Sequence, residues 1–171
     1  AYLETWRGGT LRHSRRTPSP RSMSEELTVI GWREWVALPG LAIPRLRAKI
    51  DTGAKTSSLH AEDCEAYEAD GVCRARFFVR TSHHRYACDA EVVDHRTVKS
   101  SNGQTEDRPV IRVECVLGAV RWPIELTLTD RTPMRFPMLL GRRAMEGGFL
   151  VNPGLSFCQP RPPRRRPRNN S

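Results

Sequence analysis

The residues best suited to chemistry in this chain of 171 residues form the short run Asp51-Thr52-Gly53-Ala54. An Asp carboxylate can activate water, and a glycine beside it lets backbone N–H groups approach where a side chain would intrude. The same tripeptide occurs in ordinary Asx-type turns after strands, in which the carboxylate bonds only its own backbone. The run by itself therefore leaves a catalytic turn and a structural turn both open.

Other reactive residue types do not form a recognised motif. The five histidines show no His-Glu-x-x-His spacing, and the chain has no Gly-x-x-x-x-Gly-Lys-Ser/Thr phosphate loop. A zinc site that combines His83 or His84 with a cysteine (Cys64, Cys73 or Cys88) is conceivable, but polar loop histidines and core thiols fit the same residues. We predict neither a metal ligand set nor a resident cofactor.

The net charge of +9 suggests a nucleic-acid binder until its distribution is considered. Residues 1–22 hold five Arg and one Glu, and residues 160–171 hold five Arg, so the remaining chain is neutral. We predict disordered basic tails over 1–26 and 160–171, around one domain over 27–159. The tails could contact RNA or ribosomes or have no function, and residues 1–22 could precede the natural start at Met23.

The chain has no apolar run long enough for a membrane span, and its N-terminal segment lacks the apolar core of a signal peptide. Its five cysteines are odd in number, widely spaced and without a Cys-x-x-Cys pair. We therefore expect reduced thiols that are mostly small core residues, in a cytoplasmic protein with no membrane contact.

Short apolar runs separated by turn residues predict many strands and one short helix. The strand over 43–50 leads directly into Asp51, and Met138–Leu140 is a second buried run that ends at Gly141. The remaining predicted strands cover 27–32, 35–38, 74–81, 86–94, 97–100, 109–117, 120–129 and 149–151, and the helix covers 142–146. Either the hairpin tip at 82–85 or the tip at Asn102-Gly103 could cover a cleft as a flap.

Five blocks in order resemble a bacterial family labelled ATP-dependent zinc proteases, which is retropepsin-like. They contain Ile30-Gly31-Trp32-Arg33-Glu34, Asp51-Thr52-Gly53-Ala54-Lys55, Ser101-Asn102-Gly103, Leu126-Thr127-Leu128-Thr129-Asp130 and Leu139-Leu140-Gly141-Arg142. The resemblance covers about residues 27–158. It implies a mostly β, closed acid-protease barrel with one short helix, in which Gly141 crosses beside the Asp51 turn.

The resemblance also implies an aspartic endopeptidase with Asp51, Thr52 and Gly53 as catalytic residues and Ala54, Lys55 and Arg142 as substrate-binding residues. Aspartic proteolysis requires two carboxylates that share one proton, and this chain supplies one, so a homodimer is expected. Lys55 departs from the retroviral pattern, in which an acidic residue is common at this position.

The family's members are often encoded beside ATP-grasp ligases that append glutamate, so association with such a ligase and an acidic or glutamate-modified peptide substrate are expected. Arg45, Arg47, Lys49 and Lys55 near the turn fit such a substrate, or equally a row of solvated bases. Two alternatives stay open, namely a catalytically inactive peptide- or ribosome-binding module and a zinc-dependent hydrolase.

Overall fold

The computed structural model describes residues 26–99, 103–130 and 135–164. Eleven strands and one short helix follow each other in these segments. They are β1 (Thr28–Ile30), β2 (Arg33–Leu38), β3 (Ile43–Asp51), β4 (Ser57–His60), β5 (Glu62–Ala69), β6 (Val72–Arg80), β7 (Arg85–Lys99), β8 (Thr105–Leu117), β9 (Val120–Thr129), β10 (Met138–Gly141), α1 (Arg142–Met145) and β11 (Phe149–Val151).

Six of these strands close into a mixed barrel in the order β2-β3-β10-β4-β9-β8. The ring closes where Ala37 of β2 pairs with Val116 of β8. The β3–β10 and β4–β9 pairs are parallel, and the other pairs in the ring are antiparallel. Alternate residues of every strand fill the interior, with Leu46, Leu126 and Leu140 among those that are 0–1% exposed. The predicted mostly β barrel with one short helix is confirmed.

Three strands extend from the barrel as an antiparallel sheet, because β7 pairs with β8 in one part and with β6 in another, and β6 pairs with β5. The β5–β6 hairpin turns at Asp70-Gly71, where both residues have positive φ, at 53° and 74°. A two-residue turn of this kind follows the twist of the strands that flank it, and Asp-Gly suits its left-handed backbone. The predicted hairpin around residues 82–85 is confirmed, whereas β4 and β5 were not predicted.

A second, two-stranded parallel sheet joins the ends of the domain through β1 and β11. Glu34, near the start of β2, has a fully buried side chain. Its carboxylate accepts backbone N–H bonds from Gly31 at 2.8 Å, Cys158 at 2.8 Å and Gln159 at 3.3 Å. Glu34 therefore fastens the chain after β11 to the start of β2.

The cysteines are all free thiols, as expected, but they do not all lie in the core. Cys88 and Cys115 are buried, and burial raises the pKa of Cys88 to about 11 and that of Cys115 still further. Cys64 and Cys73 are exposed on β5 and β6, so the core prediction was wrong for them. They lie on the outer hairpin, which the barrel does not cover.

Within the described residues, α1 is the single α-helix, and no helix is long and apolar enough to cross a membrane. Residues 160–164 are described and lie against the domain: Arg161 covers the ring of Trp35 at 4.2 Å, and Pro162 accepts a hydrogen bond from Arg45. Residues 1–25 and 165–171 of the predicted tails lie outside the described residues, and the division into tails and domain stays a prediction.

Candidate active site

Strand β3 delivers Asp51 to the rim of the barrel. Ile50 points into the core at 7% exposure, whereas Asp51 is half-buried, and Thr52 and Gly53 are exposed. The alternation of a strand places Asp51 on the same face as Arg47 and Lys49. The turn thus presents a carboxylate at the surface on a rigid, well-packed strand.

Backbone N–H groups of its own turn hold the Asp51 side chain. Gly53 and Ala54 each donate to Asp51 Oδ1 at 3.1 Å, and the Ala54 N–H also lies 3.2 Å from the Asp51 carbonyl. This is the Asx-type geometry of the structural interpretation, and a catalytic role for the same turn stays a prediction. Because both side-chain bonds end on Oδ1, they fix the carboxylate's orientation, and among the described residues nothing bonds Oδ2.

Strand β10 runs parallel to β3 and brings Gly141 directly beside Asp51. A methyl group on Gly141 would lie 2.6 Å from the backbone carbon and oxygen of Thr56 and 3.0 Å from the Ala54 oxygen. Only glycine allows this approach without a shift of the backbone. The predicted crossing of Gly141 beside the turn is confirmed.

Ser57 and Thr127 support this crossing, and the sequence analysis did not identify either of them. The Ser57 hydroxyl accepts the Gly141 N–H at 3.0 Å, and Thr127 Oγ1 donates to the Ser57 carbonyl at 3.2 Å. Both residues are buried polar groups in parallel strands, at 3% and 4% exposure. The sequence around Ser57 does not predict this role, because its partner Gly141 lies 84 residues away.

Arg142, predicted to bind substrate, bonds the Asp51 turn itself. Its N–H donates to the Ala54 carbonyl at 2.8 Å, and its guanidinium Nη1 donates to the Gly53 carbonyl at 3.1 Å. The next residue, Arg143, donates its N–H to the Lys55 carbonyl at 3.3 Å. The start of α1 therefore clamps residues 53–55 from outside, while contacts of Ala54, Lys55 and Arg142 with substrate stay predictions.

The described part of the chain contains no group of three or more His, Cys, Asp or Glu that could hold a metal ion. We find there no ligand set for the zinc alternative. Of the two candidate flaps, the turn at 81–84 is closed by bonds between Thr81 and His84. The other tip includes residues 100–102, which lie outside the described residues.

Comparison with known proteins identifies the family and the fold. A family model described as "RimB-like: Retropepsin-like aspartic endopeptidase RimB" matches residues 29–162. A crystal structure of a protein of unknown function (DUF785) from Legionella pneumophila is 34% identical, with a TM-score of 0.67, and the match covers 78% of this chain and 98% of that one. The closed barrel thus matches the fold of a solved DUF785 protein.

Two relatives are named probable alpha-L-glutamate ligase. The protein from Shewanella pealeana is 41% identical over 140 residues, which is 80% of this chain and 31% of the relative. The protein from Desulfotalea psychrophila is 40% identical over 139 residues, which is 78% of this chain and 30% of the relative. This chain spans about a third of their length, so it resembles one segment of each. On the family match over residues 29–162, the chain belongs to the RimB-like family of retropepsin-like aspartic endopeptidases.

Proposed function

We propose that this protein hydrolyses peptide bonds as a homodimer, with Asp51 of each subunit forming a shared catalytic pair. The observation that carries the proposal is the Asp51 turn, in which two backbone N–H groups orient a surface carboxylate that is buttressed by Gly141. The sequence contains one Asp-Thr-Gly, and it lies within the residues matched by the aspartic endopeptidase family. A second carboxylate must then come from another copy of the chain.

The chemistry follows from two carboxylates about 3 Å apart that share one proton. The ionised Asp51 takes a proton from water as the water oxygen bonds to the carbonyl carbon, and the protonated one gives its proton to the carbonyl oxygen. Collapse of the resulting diol breaks the C–N bond. The leaving nitrogen takes up the proton held by the first carboxylate, and one diol hydroxyl gives its proton to the second carboxylate, which restores the pair that shares one proton. We assign to Thr52, which is exposed beside Asp51, contact with the facing turn.

The β1–β11 sheet is our candidate for the dimer surface. Val29 and Leu150 are paired in register and are 43% and 54% exposed. Adjacent exposed apolar side chains of this kind are typical of contact surfaces. Strand β11 follows α1, which follows Gly141, so this surface is linked by a few residues to the Asp51 turn.

Replacing Leu150 by Glu tests the dimer, because burying a charge at the interface opposes association. We expect the dimer to weaken at least about tenfold by sedimentation velocity, with cleavage falling in parallel. Val93→Glu is the matched control, since Val93 on β7 is 44% exposed and lies outside the β1–β11 sheet. An active, strictly monomeric wild-type protein would rule out the shared catalytic pair.

We propose an acidic or glutamate-bearing peptide as the substrate and a cytoplasmic location. Arg47 and Lys49 share the face of β3 that ends at Asp51, which favours a substrate with carboxylates. The relatives named alpha-L-glutamate ligase support the same substrate class and association with an ATP-grasp ligase, since similar segments lie within those longer proteins.

A peptide library that contains acidic sequences, offered to wild-type protein and to Asp51→Asn, tests the activity. We expect cleavage by the wild type and a fall of about 10³-fold or more in the variant. Binding without cleavage by the wild type would instead favour the inactive binding module, and loss of wild-type cleavage on chelation would favour the zinc hydrolase. Unchanged cleavage by Asp51→Asn would refute the aspartic mechanism.

A further inference from the structure

A cavity of about 450 Å³ lies beside strand β3, and the Asp51 turn does not line it. Residues of β3, of the β6–β7 turn and of the described end of the chain line it, together with Arg135 and Pro137. The lining residues are Trp35, Pro44, Arg45, Leu46, Arg47, His60, Glu62, Arg80, Thr81, Ser82, His83, His84, Tyr86, Arg135, Pro137, Arg161 and Arg164. Asp51 and its turn are not among them.

The charge in this cavity is strongly one-sided. Its lining has six arginines and one glutamate, which leaves five positive charges in excess. Glu62 is already engaged, because Arg80 binds it through two nitrogens at 2.7 and 3.1 Å and Arg85 binds it at 3.1 Å. The other five lining arginines thus surround the space without a second lining carboxylate, an arrangement that concentrates anions.

Repulsion between neighbouring guanidinium groups is clearest at Arg45. Desolvation, followed by repulsion from Arg161 and Arg164, lowers the pKa of its guanidinium. Its Nε donates to the Pro162 carbonyl at 2.8 Å, which holds the side chain in place. A bound anion would relieve this repulsion at guanidinium groups whose positions are already fixed.

The two aromatic rings that line the cavity, those of Trp35 and Tyr86, each already have a stacked neighbour, which favours a carboxylate ligand over a nucleic acid. The Trp35 ring stacks on Phe157 at 5.5 Å, and Arg161 covers it at 4.2 Å. Tyr86 stacks on His84 at 5.8 Å. Bases bind single-strand sites by stacking on free aromatic rings. Recognition here is therefore left to the guanidinium groups, which match carboxylates.

The cavity is within reach of the catalytic turn. Arg47 and Asp51 share one face of β3 and are four residues apart, about 13 Å along an extended strand. A peptide that occupies the cavity could therefore extend along β3 toward Asp51 in roughly four or five extended residues.

We propose that this arginine-lined cavity binds the side-chain carboxylates of an acidic peptide, at a site separate from the Asp51 turn. Its use as an exosite that retains a substrate during cleavage rests on the proposed function. The binding itself does not depend on that function, and it is measured on a protein that cannot cut.

The test uses the full chain with Asp51→Asn and a fluorescein-labelled peptide of six consecutive glutamates, measured by fluorescence anisotropy. We expect saturable binding that weakens about tenfold in Arg47→Gln/Arg135→Gln, since each change removes one guanidinium from the cavity. The matched control is Arg112→Gln/Arg121→Gln, which removes two exposed charges from the β8–β9 hairpin and should leave the Kd within about twofold. Arg135→Gln alone alters one exposed side chain and should weaken binding about threefold if the double variant fails to fold.

Three results would overturn the proposal. These are no saturable binding of the hexaglutamate, equal weakening in the control variant, or tighter binding of a six-nucleotide oligothymidylate than of the peptide. Cleavage assays on the unsubstituted chain separate the two proposals. If the unsubstituted chain cuts no peptide but still binds hexaglutamate through Arg47 and Arg135, the proposed binding site is supported and the proposed peptidase function is refuted.

Discussion

Among the described residues, Glu34 and Asp51 are carboxylates that each accept more than one backbone N–H bond, and those bonds leave the two groups in different states. Glu34 is fully buried and takes three such bonds, which occupy both of its oxygens. Asp51 is half-buried and takes two, both on Oδ1. A carboxylate whose oxygens are all engaged is a structural fastener, whereas one with an oxygen facing outward can still bind and react.

The source of the donors matters as much as their number. The donors to Asp51 lie two and three residues away in the same turn, so they orient the group without connecting it to distant chain. Two donors to Glu34 lie 124 and 125 residues away, so they join the two ends of the domain. Substitution of either residue should therefore separate activity from stability.

Asp51→Asn should show the largest effect, on activity alone. The Asn oxygen can accept the same two N–H bonds, but the side chain cannot ionise and take a proton from water. Alongside the expected rate loss of about 10³-fold, we expect the free energy of unfolding in urea to stay within about 0.5 kcal/mol of the wild type. A variant that loses activity because it unfolds would contradict this division of roles.

Glu34→Ala should show the converse effect. Three backbone donors would lose their acceptor at roughly 1 kcal/mol each, so we expect about 3 kcal/mol less stability in urea unfolding. Cleavage per folded molecule should stay within about twofold of the wild type. Glu34→Gln is the milder companion, because its amide oxygen keeps the acceptor for Gly31 and Cys158. A large loss of specific activity in folded Glu34→Gln would show that this group also serves the site.

Gly141→Ala tests the close approach that positions Asp51. The added methyl group would overlap the Thr56 backbone and push β3 and β10 apart. We therefore expect the free energy of unfolding to fall by about 2 kcal/mol and cleavage to be reduced. Gly40→Ala is the control, because a methyl group there meets nothing within 4 Å. Equal effects of the two substitutions on urea unfolding would contradict a special role for Gly141.

Glu62→Gln should show the smallest effect, confined to the outer sheet. Hydrogen bonds from Arg80 and then Arg85 lower the pKa of Glu62 from 4.5 to about 2. Its ion pairs therefore add stability that is complete above pH 4.5 and is lost as the pH falls through about 2. The difference in thermal midpoint between wild type and Glu62→Gln should be greatest near neutral pH and shrink toward pH 2. A difference that grows on acidification would contradict this assignment.

The sequence predicted the fold where local signals were strong. Asp51-Thr52-Gly53 and Leu139-Leu140-Gly141 are contiguous, and the hairpins around 82–85 and 118–119 have clear turn residues. Strand β5 was missed because its side chains are mostly exposed and polar, so its edge position in the outer sheet gives no hydrophobic alternation.

Contacts between distant residues were beyond prediction for a different reason. Three features arise only when strands distant in sequence come together. They are the hydrogen bond that Gly141 donates to Ser57, the burial of Glu34 and the cluster of arginines around the cavity. The spacing of neighbouring residues in the sequence does not predict such contacts. The hydrogen bond from the Arg142 guanidinium to the Gly53 carbonyl is another contact of this long-range kind, since the two residues are 89 positions apart.

The pairing of Asp51 with Gly141 has a consequence for the biosynthesis of the protein. The two residues are about 90 positions apart, and the parallel strands that carry them can meet only after the intervening chain has been made. Sheets with such distant partners fold slowly. A nascent chain that has emerged only through residue 100 carries the Asp51 turn without Gly141, so on the proposed function cleavage would begin only after translation of the barrel is complete.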